Sequence, residues 1–539
     1  LSRGLGDVYK RQVLALALAP AAGAHGVRIT VDAARTAGTV SRQLFGMNNA
    51  FNNDAYGSFD PRSGRVSRRL VSEVRSAGIS VLRYPGGTVA NTFQWEQAVG
   101  PQARRGCQVD GHGSAPPLSS GYGPDEAARF AGQVGARLSL LVNFATGTPQ
   151  EAADWVRYMN GRVGSSKWAD WRARNGHRAP YGVQWWEVGN EMELSNQTYW
   201  MGSGAPASLA RLYAFGGSTR FVSQPAVQEC DWRPSAGVSD GRPGQSMFAR
   251  YPPVAPGQSV SVGGQVWQQV SSLAQAGPND RVYVLDRASG RIVFGDGVHG
   301  AVPASGSQVA ITYTSGPHPG FVQFYRAMKA ADPSIHVCAG YTNPQDPTEQ
   351  PFPLVMGRAH RYDCLQVHPF KPLLAGMGAV AAHDYAMSGA DQAAAEVATV
   401  QRELRRASGR PVPVTVSAYG LNDRGLNDRL GGAPSVDYLS SLDQGLFTAS
   451  ELVHWADLGV PAAARFQLIN RNPATTPVTD PDSPDTAVFG FAPSFTPSAS
   501  AEVFGLFSHM SGVERIASSV VGNPVRVGAV SYTHLRAHE

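Results

Sequence analysis

The chain is poor in charge and, above all, in lysine. Asp, Glu, Lys and Arg make up 16% of its 539 residues, and only four of the 46 basic residues are lysine: Lys10, Lys167, Lys329 and Lys371. The net charge of +5 is small for this length. No run of Lys or Arg occurs, so the sequence carries no electrostatic footprint for nucleic acid. A hydrophobic share of 42% is ample for a packed core and excludes a disordered chain.

Cysteine is also scarce, with four in the whole chain. Cys107 and Cys230 lie in loop-like stretches rich in Gly, Pro and Asp, where a disulfide could form outside the cell. Cys338 and Cys364 lie in apolar, strand-like runs, which favour an interpretation as small buried hydrophobic residues. No Cys-x-x-Cys or His-x-x-x-His pattern occurs, so we expect neither a metal site nor a cofactor.

Long apolar runs are missing too. No stretch reaches about 18 uninterrupted apolar residues, so the sequence predicts no membrane span. Residues 13–25 form a shorter apolar run that ends in small residues, which is typical of the remnant of a secretory signal peptide and predicts a secreted protein. Residues 1–12 and 530–539 resemble translated sequencing-adapter read-through at the ends of metagenomic fragments, and we exclude them from fold reasoning.

Short apolar strands alternate with helical stretches along most of the chain. Eight such strands predict a parallel (β/α)8 TIM barrel, an α/β fold built from residues 26–203 and 317–515. The predicted strands are 44–48, 81–84, 138–143, 183–188, 335–339, 364–368, 412–417 and 464–469. Helices are predicted at 67–77, 124–134, 150–159, 320–331, 393–407 and 438–459.

Two segments do not fit the barrel pattern. Residues 204–316 follow the fourth strand. They contain short runs in which apolar and polar residues alternate with period two, and Gly and Pro residues separate these runs, which predicts an inserted β module. Because it follows that strand, we expect the module to wall or roof the mouth of the barrel. Residues 516–529 begin a β-like segment, which we interpret as the start of a truncated β domain.

The most informative stretch is QWWEVGNE at 184–191. It predicts a buried strand that breaks at Gly189 and presents Asn190 and Glu191 at the carboxyl end, where barrel enzymes place catalytic groups. Aromatic walls beside a carboxylate suit sugar binding. With LRYPGG at 82–87 and the region 142–160, this stretch resembles the retaining glycoside hydrolases of clan A, and more narrowly the alpha-L-arabinofuranosidases of family 51.

The resemblance implies a secreted glycosidase that acts on oligo- or polysaccharide containing arabinose. It implies that Glu191 is the acid/base, that Asn190 binds the 2-hydroxyl of the sugar, and that Arg83 holds the nucleophile. Glu187, inside the strand, is interpreted as a supporting residue. Further candidate substrate contacts are His368, Tyr419, Asn143, Asn48, Asn49 and Trp95.

The nucleophile of the family is absent. Relatives have Glu after the seventh strand, where this chain has Ala418, and a methyl group cannot form a glycosyl ester. Three explanations stay open: a natural binding or regulatory variant, a one-base error or deliberate knock-out, or substitution by Asp423 or Asp428 in the following loop. The alternative functions are a catalytically silent carbohydrate-binding barrel and a clan A glycosidase of other specificity, such as a xylosidase.

Overall fold

The computed structural model describes residues 28–340, 351–374, 379–424, 442–469, 487–521 and 529–531. The chain divides into two compact units, one of residues 40–512 and one that joins residues 1–39 to residues 513–539. No described helix is long and apolar enough to cross a membrane.

The strands, in chain order, are β1 (Arg28–Thr39), β2 (Gln43–Asn48), β3 (Phe59–Asp60), β4 (Arg65–Val66), β5 (Val81–Tyr84), β6 (Arg137–Val142), β7 (Trp185–Val188), β8 (Gly216–Gly217), β9 (Arg220–Pro225), β10 (Ser246–Phe248), β11 (Ser259–Val262), β12 (Gln265–Gln269), β13 (Val282–Asp286), β14 (Arg291–Phe294), β15 (Val309–Thr314), β16 (His318–Pro319), β17 (His336–Ala339), β18 (Cys364–Val367), β19 (Lys371–Leu374), β20 (Val414–Val416), β21 (Leu421–Arg424), β22 (Ala462–Arg465), β23 (Glu514–Val521) and β24 (Ala529–Ser531).

The right-handed helices are α1 (Arg68–Ser76), α2 (Pro124–Val134), α3 (Pro149–Asn160), α4 (Lys167–Arg174), α5 (Pro206–Phe215), α6 (Phe321–Ala331), α7 (Pro351–Ala359), α8 (Ala379–Ser408), α9 (Leu442–Asp457) and α10 (Ala499–Phe507). Local sequence explains several of these ends. Helix α3 begins with Pro at its first position, and the Thr148 hydroxyl caps it by accepting the backbone N–H of Glu151. Helix α2 ends at Gly135, which adopts the left-handed conformation that glycine tolerates.

Eight parallel strands close into a barrel in the larger unit. Around the barrel their order is β2, β5, β6, β7, β17, β18, β20 and β22, which is also their order along the chain. Every one overlaps a strand predicted from the sequence, so the predicted (β/α)8 barrel is confirmed. The strands are short and almost wholly buried, as for β5 and β18, because the helices cover the outer face of a parallel sheet.

Along the chain, the segment between α5 and α6 forms a seven-stranded sheet. Its strand order is β10, β14, β13, β12, β11, β15 and β9, and its own buried core includes Met247, Val260, Ile292, Phe294 and Ile311. The range 204–316 also contains α5, which packs against the barrel helices α6 and α7. The sheet itself therefore begins only at β9, because the helix that follows the fourth strand still belongs to the barrel layer.

Contacts tie this sheet region to the barrel loops. Cys107 and Cys230 form a disulfide, as anticipated, between the loop after β5 and the segment after β9. The Thr219 hydroxyl donates to the carbonyl of Met201. The expectation for Cys338 and Cys364 is wrong: both are buried, but they form a disulfide, because β17 and β18 are neighbours whose register pairs these two residues.

The smaller unit is a three-stranded antiparallel sheet, in which β23 pairs with both β1 and β24. Residues 28–39, assigned to the barrel from the sequence, thus pair with the chain after residue 513. Within the larger unit, the backbone N–H of Gly512 donates to the carbonyl of Val40 at 2.9 Å, so the two ends of that unit are joined.

Candidate active site

The site begins where β7 ends. Gly189 follows the strand with a φ of +74°, and Glu191 itself has a φ of +50°, so the chain turns sharply at the barrel mouth. A Cβ at position 189 would lie 2.7 Å from Cγ of Met192, so only glycine fits this turn. A non-glycine residue in the left-handed region stores strain, which structures keep most often at functional positions.

Arg83 is the centre of the buried polar network below the mouth. It is 1% exposed, and its guanidinium donates to three side chains from β2 and the β7 segment. Nε donates to Oε2 of Glu187 at 2.7 Å, Nη1 to Oδ1 of Asn48 at 2.7 Å, and Nη2 to Oδ1 of Asn190 at 3.0 Å. The buried charge of Arg83 is therefore balanced by Glu187.

Both carboxylate oxygens of Glu191 are held by other side chains. Oε1 lies 2.9 Å from Nδ1 of His368, and Oε2 accepts Nε2 of Gln197 at 2.8 Å. Burial raises the pKa of Glu191, but the hydrogen bond and charge of His368, the bond from Gln197 and the charge of Arg83 outweigh it. The pKa of Glu191 consequently lies below its ordinary value of 4.5.

His368 connects Glu191 to the end of β20. Its Nε2 lies 2.9 Å from Oγ of Ser417, and that hydroxyl donates to Oε1 of Gln366 at 3.1 Å. Ala418 comes next in the chain and is buried, with 3% of its surface exposed. The structure therefore links the end of the seventh barrel strand to Glu191 through one imidazole ring.

Four other predicted contacts make bonds or packing contacts away from Glu191. Asn49 donates to the Tyr122 hydroxyl, and Asn143 closes a turn with Thr146. Trp95 is buried in an aromatic cluster with side chains of α3 and α4, stacked on Trp155, and its N–H donates to the carbonyl of Glu151. Tyr419 faces the helix layer, where its ring meets the edge of Trp455 in α9. The structure thus brings Arg83, Asn48, Asn190, Glu191 and His368 together.

The two substitute carboxylates, Asp423 and Asp428, follow β20 in the chain. Asp423 lies in β21, which pairs with β19 outside the barrel. Asp428 lies outside the described residues. Among the described residues, no group of three or more His, Cys, Asp or Glu side chains is arranged to hold a metal ion.

The sequence analysis did not single out four side chains that shape the site: Asn91, Gln197, Gln366 and Ser417. Gln366 and Ser417 carry a weak signal, because Ser417 ends a predicted strand and Gln366 precedes His368 by two residues on the same face of another. Asn91 lies in a short 3-10 helix, Thr88–Thr92, and Gln197 in a turn, where no long period predicts which way a side chain points.

Comparison with known proteins finds similarity to arabinofuranosidases. Residues 73–205 match the model of the alpha-L-arabinofuranosidase 1 domain. A probable alpha-L-arabinofuranosidase C of Aspergillus flavus is 34% identical over 122 residues, which are 23% of this chain and 24% of the relative. An intracellular exo-alpha-(1->5)-L-arabinofuranosidase of Bifidobacterium longum is 32% identical over 120 residues, 22% of this chain and 21% of the relative.

The similarity in structure extends further than the similarity in sequence. The crystal structure of a family 51 arabinofuranosidase from Xanthomonas axonopodis pv. citri superposes with a TM-score of 0.60 and 16% identity, covering 93% of this chain and 80% of that one. At this identity the likeness establishes the fold. The sequence matches span about a quarter of the length of the curated relatives. The matched domain includes Arg83, Asn190 and Glu191 but ends before His368 and Ala418.

Proposed function

We propose that the chain is a glycoside hydrolase of the alpha-L-arabinofuranosidase type in which Glu191 is the acid/base and position 418 is the place of the nucleophile. One observation carries the proposal. Glu191 lies at the mouth of the barrel, fixed between His368 and Gln197 inside the segment that matches the arabinofuranosidase domain. Asn190, whose Oδ1 accepts from Arg83, is the proposed partner of the sugar 2-hydroxyl.

The proposed chemistry is a retaining double displacement on a glycan that contains arabinose. Such a reaction needs an acid/base and a carboxylate nucleophile about 5–5.5 Å apart. The site supplies the first from Glu191, whereas the side chain of Ala418 has no electron pair with which to attack. The chain as it stands therefore binds a glycoside and turns it over very slowly.

Secretion is part of the same proposal. Two disulfides, Cys107–Cys230 and Cys338–Cys364, support it, because disulfides persist in oxidising compartments outside the cytosol.

The test is to restore a carboxylate at position 418 and compare it with a matched amide. Ala418→Glu should release nitrophenol from an aryl alpha-L-arabinofuranoside on the order of 10⁴-fold faster than the parent, because the nucleophile is returned. Ala418→Gln has nearly the same shape and cannot attack, so it should stay at the parent rate. Adding Glu191→Gln to the Glu variant should remove the gain. Equal rates for the Glu and Gln variants on every aryl glycoside would refute the assignment of position 418.

The same panel decides between specificities. An aryl xyloside cleaved faster than the arabinofuranoside would favour a xylosidase-like enzyme. The silent carbohydrate-binding protein is the second candidate, and Ala418 is the observation that favours it. It predicts that the parent binds arabino-oligosaccharide in calorimetry while the Glu variant gains no hydrolysis.

A further inference from the structure

The direction of each hydrogen bond around His368 can be worked out from a backbone group. The carbonyl of Gly189 can only accept, so the atom of Gln366 that lies 2.9 Å from it is the amide nitrogen. The other end of this buried amide, Oε1, therefore faces Oγ of Ser417 at 3.1 Å. The orientation of Gln366 is thus fixed at one end by the main chain.

The hydroxyl of Ser417 then has only one consistent orientation. An amide oxygen carries no proton, so Ser417 must donate its proton to Gln366; otherwise two oxygens would face each other at 3.1 Å with no proton between them. With its proton committed, Oγ accepts from Nε2 of His368 at 2.9 Å. Nε2 of His368 therefore carries a hydrogen.

A second chain fixes the other side of Glu191. The backbone N–H of Asn190 donates to Oδ1 of Asn91 at 2.8 Å, so the amide nitrogen of Asn91 faces Oε1 of Gln197 at 3.1 Å. Gln197 consequently donates through Nε2 to Oε2 of Glu191. Oε2 is an acceptor, and Oε1 is the oxygen that faces Nδ1 of His368.

We propose that Ser417 and Gln366 are positioning residues that fix His368 with a proton on Nε2, so that one further proton is held between Nδ1 of His368 and Oε1 of Glu191. This inference rests on the proposed role of Glu191 as acid/base. As the glycosidic C–O bond breaks, the shared proton passes through Glu191 to the leaving oxygen. In Ala418→Glu, where a glycosyl ester can form, water later attacks that ester, and the proton that the water loses returns to the same pair. The proton on Nε2 stays in place.

The order Glu191, His368, Ser417 is that of the acid, imidazole and hydroxyl in a serine hydrolase, but the direction is reversed. In such a triad the hydroxyl donates to Nε2 and becomes a nucleophile. Here Ser417 accepts from Nε2 and donates to Gln366, so it serves as an acceptor. Among the described residues, Arg83 acts on the charge of Glu191 and is itself paired with Glu187, and Tyr199 is a neutral phenol near Glu191.

Nitrogen NMR of the protein labelled with ¹⁵N-histidine tests this assignment at pH 7, with His368→Gln identifying the ring signals. In the parent, Nε2 of His368 should resonate in the protonated range. In Ser417→Ala that hydrogen has no acceptor, so it should leave, and the Nε2 signal should shift downfield into the range of an unprotonated ring nitrogen. Ser417→Thr keeps the hydroxyl and should retain the parent shifts. An unprotonated Nε2 in the parent, or identical spectra for Ser417→Ala and the parent, would overturn the proposal.

A second variant guards against misfolding of the first. Gln366→Met removes the amide acceptor, so Ser417 becomes free to donate to Nε2, and the same downfield shift should appear. The NMR signals do not depend on turnover. They test the protonation of His368, whereas the Ala418→Glu assay tests the proposed function, so failure of one can be distinguished from failure of the other. In the Ala418→Glu background, Ser417→Ala should move the alkaline limb of the pH–rate profile to lower pH, whereas Ser417→Thr should leave it in place. If the alkaline limb of the pH–rate profile stays in place in Ser417→Ala, the proposed role of Ser417 in holding the shared proton is contradicted.

Discussion

The ends of the fourth and seventh barrel strands, β7 and β20, are built very differently. After β7, Glu191 has a hydrogen-bond partner on each oxygen and lies beside a buried arginine. After β20, Ala418 presents a buried methyl group. Yet Arg83, the buried cation beside Glu191, already has Glu187 as its counter-charge. The comparison shows that the charge of Arg83 is balanced, and Glu191 is held, without a carboxylate at position 418.

The largest effect should come from removing that balance. Glu187→Gln should lower the free energy of unfolding by about 3–5 kcal/mol, since it leaves the guanidinium of Arg83 buried without a counter-charge. Urea unfolding measures it. The double variant Glu187→Gln with Ala418→Glu should recover part of the loss if a carboxylate at 418 reaches Arg83. Full stability of Glu187→Gln alone would show that Arg83 has another counter-ion.

Azide should partly replace the attacking group that the end of β20 lacks. A small anion in the space left by the missing carboxylate can attack the anomeric carbon, so azide should raise nitrophenol release by the parent on the order of tenfold. The product should be a glycosyl azide of inverted configuration, identified by NMR. Glu191→Gln, which removes the acid, should reduce release from unactivated glycosides. Fast hydrolysis by the parent without azide would instead indicate another carboxylate, with Asp423 and Asp428 the first to replace.

A smaller effect concerns the titration of Glu191. Its pKa lies below 4.5 in the folded protein, so its contribution to stability is present above that pH and is lost as the pH falls through the lowered pKa. Ala418→Glu places a like charge nearby and should raise the pKa of Glu191. The acid-side loss should then begin at higher pH than in Ala418→Gln. Identical acid titrations of stability for the two variants would place residue 418 away from Glu191.

The sequence was enough to predict the barrel because eight apolar runs alternate with helical stretches. Each run can be recognised from its own residues, since periodicity is a local property of the chain. It also located Arg83, Asn190, Glu191 and His368, which lie at strand ends, where the topology brings side chains to one mouth. Trp95 and Tyr419 illustrate its limit. Tyr419 follows β20 and Trp95 lies in the segment after β5, but packing turns Trp95 into an aromatic cluster and Tyr419 toward α9. The Cys338–Cys364 disulfide required knowledge of which strands are neighbours in the barrel.

The hydrogen bond between Gly512 and Val40 has a consequence for engineering. Since the first and last residues of the larger unit meet, a short peptide can bridge them, and the chain can be opened elsewhere to give a circular permutant. The same closure lets residues 40–512 be grafted as a cassette into a surface loop of a host protein, whose own loop ends would need to be only a few ångströms apart.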